Sequence, residues 1–121
     1  DYERAQEALA NGDFRGAADL LATFSQTYPG SPVAADAAFI RGQAYEQLGE
    51  MTNAARGYLD AFSTDPEGPI APQALTRLGK SLAAIGQQRD ACVTLGEVAV
   101  RFPASDQVLE AQSAMRNIGC N

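Results

Sequence analysis

The sequence predicts an all-α fold, a solenoid of helical hairpins, and three observations predict it. The first is a period of 37 residues: Pro29, Pro66 and Pro103 stand 37 apart, as do Gly12, Gly49 and Gly86, and Ala17, Ala54 and Ala91. The second is composition, in which valine and isoleucine are sparse beside alanine and leucine and tryptophan is absent, a balance that favours helix over strand. The third is size, since 121 residues with 45% hydrophobic content suffice for one domain with its own core.

Each unit reads as a first helix, a turn at the glycine, a second helix, and a proline that stops it. Glycine at 12, 49 and 86 falls where the first helix ends and where a left-handed residue is favoured. Proline at 29, 66 and 103 has no N–H to give to the preceding turn, so the second helix cannot pass through it. Small residues at 17, 54 and 91 let the two helices of a hairpin approach, and Leu21, Tyr58 and Leu95, four positions on, fill the space beside them. Weaker columns follow the same step: Ala8, Tyr45 and Leu82; Gly42 and Gly79; Ala37, Ala74 and Ala111.

Helices are expected at 1–11, 14–28, 33–48, 51–64, 70–85, 88–102 and 105–119. They form a single domain of repeats at about 1–31, 32–68 and 69–104, closed by a capping helix over 105–119. Ser105 or Asp106 is an N-cap residue for that last helix, which lies as a lid on the apolar face of the third hairpin.

Charge and residue types exclude several functions. A net charge of -6 would repel nucleic acid, and no apolar run approaches the roughly 18 residues that a membrane span requires. Histidine is absent, which removes the commonest general base and metal ligand. The glycines stand singly and none opens a phosphate-binding loop, while Glu46 and Glu50 at helical spacing read as a solvated face. An enzyme is therefore not expected, nor a cofactor or a metal. The chain starts at Asp1 without methionine, as a processed protein or a fragment of a longer one would.

The columns Ala38, Gly42, Tyr45, Gly49, Ala54, Tyr58, Ala61 and Pro66 resemble the tetratricopeptide repeat, and Leu75, Leu78, Gly79, Leu82, Gly86, Ala91, Leu95 and Pro103 repeat the pattern. The first unit keeps Ala5, Ala8, Gly12, Ala17, Leu21, Phe24 and Pro29. The usual period is about 34, and the excess falls in the linkers Gly30-Ser31-Pro32, Gly68-Pro69-Ile70 and their counterpart near Ala104. Arg4 and Arg41 depart from the pattern, occupying a column where leucine is usual, so the outer hairpins are expected to pack differently from the third.

The linkers Tyr28 to Pro32 and Arg101 to Ser105, with the terminal Ile118-Gly119-Cys120, are similar to the C-terminal domain of the Tol-Pal accessory family of Gram-negative bacteria, the cell division coordinators. The resemblance implies a periplasmic protein that binds TolA and coordinates peptidoglycan synthesis with outer-membrane constriction during division, a peptidoglycan synthase being a further partner. It also implies an N-terminal coiled coil, absent here, that trimerises the intact protein, leaving the isolated domain monomeric. The alternatives are another periplasmic scaffold, such as a component of outer-membrane protein assembly, an accessory binding domain of a cell-wall enzyme, or a cytosolic assembly adaptor.

Segment Asp90 to Leu95 is similar to family variants that pair a cysteine here with one at the chain end. In antiparallel helices Cys92 and Cys120 reach similar heights, so a disulfide between them is expected. The first helices of the units line the hollow side, and the polar or aromatic residues there are Tyr2, Gln6, Asp36, Phe39, Gln43, Glu46, Gln47, Gln73, Thr76 and Lys80. Phe39 is the strongest candidate for partner contact, because the column pattern demands no packing role of it; the alternative is burial against the first hairpin.

Overall fold

Where each first helix must stop, the chain makes the same turn. The computed structural model describes residues 1–121 as α1 (Tyr2–Ala10), α2 (Phe14–Leu21), α3 (Phe24–Thr27), α4 (Ala34–Gln47), α5 (Met51–Thr64), α6 (Ala71–Ala84), α7 (Gln88–Arg101) and α8 (Gln107–Ile118), with no strand. Gly12, Gly49 and Gly86 have φ of 81°, 77° and 84°, a left-handed conformation that glycine adopts without a Cβ clash. The residue after each glycine donates its N–H five positions back, Asp13 to Ala8, Glu50 to Tyr45 and Gln87 to Leu82. This closes the helix with two backbone bonds in a Schellman turn. Gly119 makes the same turn after α8, at φ 81°, with the N–H of Cys120 donating to Met115.

Consecutive helices pack antiparallel along the chain, α1 on α2, α4 on α5 and α6 on α7, with α2 against α4, α5 against α6 and α7 against α8. First helices also meet directly, α1 with α4 and α6 with α8. That is the solenoid of hairpins expected, with α8 as the lid. Its core runs mainly through the second and third hairpins, where Tyr58, Leu95 and Val98 are enclosed among Ala54, Ala61, Ala74 and Ala111. A smaller cluster of Ala5, Leu21, Phe24, Ala37 and Ile40 joins the first hairpin to α4.

The linkers are ordered repeats of one another. The N–H groups of Ser31, Gly68 and Ser105, 37 apart, donate to Tyr28, Asp65 and Phe102; those of Ala34, Ala71 and Val108 donate to Ser31, Gly68 and Ser105.

One expected helix is broken. In place of a helix over 14–28 the chain forms α2 and the single turn α3, separated at Ala22 and Thr23. The N–H of Ala22 bonds only three residues back, to Asp19 at 3.4 Å, and Thr23 leaves the helical region at φ -119°, ψ 22°. The column that holds Ala61 and Val98 in the later hairpins holds Phe24 here, buried and tilted against Tyr28 with ring centroids 4.9 Å apart. A phenyl ring in a slot sized for a smaller residue displaces the backbone that carries it.

Candidate protein-binding groove

The inner faces of α4, α6 and α8 enclose a groove of about 450 Å³. Glu46 comes from the end of α4, Met51 from the start of α5, Gln73, Thr76, Arg77, Lys80 and Ser81 from α6, and Gln107, Leu109 and Glu110 from α8, with Asp106 just before it. The α6 residues recur every three or four positions, which places them on one face of a helix. Column spacing carries the set across repeats, since Gln73 and Glu110 are 37 apart.

The wall of the groove is an aromatic and charged network. Tyr58 is fully enclosed, and its hydroxyl donates to the Glu46 carboxylate. Burial above all, and that hydrogen bond next, push its phenol well above the ordinary tyrosine range. Arg77 lies 3.5 Å from the same carboxylate and covers the Phe39 ring with its guanidinium carbon 5.5 Å from the centroid. On the other side Lys80 donates to Glu110, bridging α6 to α8 and holding that carboxyl below its usual range.

Of the residues expected on the hollow side, Glu46, Gln73, Thr76 and Lys80 line the groove. Thr76 lends shape, being 1% exposed with its hydroxyl donating to the Pro72 carbonyl. Tyr2, Gln6 and Asp36 lie apart at the first hairpin: the Gln6 amide donates to the Tyr2 hydroxyl at 3.2 Å, and burial together with Asp36 and Glu3 raises the Tyr2 phenol. Gln43 is half-buried and Gln47 exposed, both on α4 and outside the groove.

Phe39 has the core placement, not the free surface expected of it. It is 5% exposed and packs against Tyr58 with ring centroids 5.4 Å apart, within the core of the second and third hairpins and not against the first. The reason is local. Gly42, on the same helix, leaves room for the Tyr58 ring to lie across α4, and Phe39 packs on that ring.

Met51, Arg77, Ser81, Asp106, Gln107, Leu109 and Glu110 complete the groove and were not among the sequence candidates. Reading 105–119 as a lid alone removed α8 from consideration. The signal for Glu110 was present in the step of 37 from Asp36 through Gln73.

Two family models, each described as tetratricopeptide repeat, match the chain, one over residues 2–69 and the other over 73–105. The chain belongs to the tetratricopeptide repeat family. Comparison with curated proteins finds no match. The tetratricopeptide repeat is a protein-interaction fold, and the groove crosses the first helices that such repeats set side by side. No helix of this repeat domain is long and apolar enough to cross a membrane, and no cluster of His, Cys, Asp or Glu is placed to hold a metal ion.

Two departures from the repeat pattern shape the rest of the surface. Arg41, in the column that holds buried Leu78, turns its guanidinium to Asp60 on α5 and lines a second, smaller hollow with Phe24, Ala38 and Ser63. Arg4 is exposed beside Asp1 at 3.8 Å. Cys92 and Cys120 stand at disulfide distance with their Cα atoms 5.6 Å apart, joining α7 to the turn after α8. The Gln88 amide adds a hydrogen bond to the Ile118 carbonyl, 2.5 Å away, at the same place.

Proposed function

We propose that this tetratricopeptide repeat domain is a scaffold of the bacterial cell envelope that holds a segment of TolA between α4, α6 and α8. The observation that carries the reading is the groove itself, a polar channel lined from three successive first helices in a protein-interaction fold. The Tol-Pal assignment rests on the linkers Tyr28 to Pro32 and Arg101 to Ser105 and on the terminal Cys120. A disulfide-distance pair suits the oxidising periplasm, because stable disulfides are rare in the cytosol. In that setting the intact protein trimerises through a coiled coil preceding this domain, and serves to coordinate peptidoglycan synthesis with outer-membrane constriction during cell division.

Titration of purified TolA into the domain tests the proposal. Saturable binding that Gln73→Arg, which puts a long cationic side chain into the groove, weakens about tenfold or more, with helical circular dichroism unchanged, supports it. Absence of binding to TolA, with capture of outer-membrane assembly subunits from an envelope extract, assigns the domain to that other scaffold.

A further inference from the structure

Five charged side chains line the groove, and four are matched within it: Arg77 lies beside Glu46, and Lys80 beside Glu110. The fifth, Asp106, has no ion pair. It stands at the N-cap of α8, where aspartate ordinarily accepts the first free N–H groups of the helix, yet its side chain caps nothing. Ser105 has taken that role, its hydroxyl accepting the N–H of Gln107 at 3.0 Å. The Asp106 carboxylate is thus exposed, lines the groove and has no ion pair.

A second feature of the groove points to the same kind of ligand. Ser81 is 1% exposed yet lines the groove, and its hydroxyl, unlike that of Thr76, does not bond back to the preceding turn. Every enclosed side-chain nitrogen or oxygen has a partner, so the Ser81 hydroxyl, in a side chain 1% exposed, keeps a narrow opening on the groove it lines. With the amides of Gln73 and Gln107 it offers hydrogen-bonding groups suited to an extended main chain.

We infer that Asp106 is a specificity-determining residue of the groove, selecting a polypeptide segment whose lysine or arginine reaches the Asp106 carboxylate while its main chain bonds to Gln73, Ser81 and Gln107. The inference rests on the reading that the groove holds polypeptide and goes beyond it by fixing the partner's chemistry. The overall charge of -6 favours the approach of such a segment. An acidic segment meets an unpaired like charge and is rejected.

A positional-scanning library of acetylated, amidated decapeptides, bound to the purified chain, tests this. Lysine and arginine are expected to be enriched about threefold over aspartate and glutamate at one position, as for a solvent-accessible ion pair, and the enrichment fades with added salt. In Asp106→Asn that preference is lost while selection at the other positions and the melting temperature stay as in the parent. Peptides retained without a basic preference, or with one that survives Asp106→Asn, overturn the inference and leave the groove reading standing. No peptide retained at any position overturns both.

Discussion

Gly57 of α5 meets Gly42 of α4 backbone to backbone: a methyl group on Gly57 would stand 2.7 Å from both the N and the Cα of Gly42. No flexible side chain separates the two helices there, so the contact cannot yield. Gly57→Ala is expected to destabilise the domain by about 1–3 kcal/mol through overpacking, seen as a lower melting temperature with parent-like helical content.

Gly96 provides the opposite case. It lies within α7, and a methyl group there would find only the Met115 side chain, at 3.8 Å. Gly96→Ala relieves the entropic cost of a mid-helix glycine and is expected to stabilise by about 0.5–1 kcal/mol. A lower melting temperature would show that this face packs more tightly than the geometry allows.

Phe39→Ala removes a ring enclosed between the second and third hairpins. The expected loss is about 3–5 kcal/mol, read in denaturant unfolding. A sequence-only reading, with the ring on an open wall, predicts weakened partner binding and an unchanged melting temperature. The buried placement predicts that stability falls first.

Cys92 and Cys120 are separated by 28 positions. Closing a loop of that size contributes about 3–4 kcal/mol on the chain-entropy model. Reduction with dithiothreitol, or the paired Cys92→Ser and Cys120→Ser substitution, is expected to lower the melting temperature accordingly. Hydrogen exchange should locate the loosening at α8, which would lose its covalent tie to α7.

The Glu110 carboxyl is held below its usual range by Lys80, and that of Glu50 by Arg15. A carboxylate whose folded-state pKa is depressed stabilises the fold above its unfolded value of about 4.3 and loses that contribution as pH falls through the lower folded value. Lys80→Ala is expected to flatten the acid limb of the melting temperature against pH. The cost should be fully present above about pH 5 and shrink as pH falls, and it should be small throughout because both side chains are about half exposed.

Residues that recur carried most of the fold legibly. Gly12, Gly49 and Gly86 announced their turns, and Ala17, Ala54 and Ala91 their close helix contacts, because each column meets one steric demand three times over. What could not be read from recurrence was governed by single substitutions within a column. Phe24 in the place of Ala61 and Val98 split a helix that the pattern draws as continuous. The groove was legible only in part for a related reason: four of its eleven lining residues were read from the sequence. Glu46, Gln73, Thr76 and Lys80 followed from the period, whereas Asp106 and Gln107 depend on how α8 docks, which no column specifies.

The joints between hairpins repeat one pair of backbone bonds at a fixed step, so they act as spacers of set length, not as tethers. The groove takes its lining from both sides of two such joints, after α5 and after α7. Trimming either joint towards the commoner repeat length would therefore shift whole walls against each other and change the bore of the channel, with every lining residue still in place.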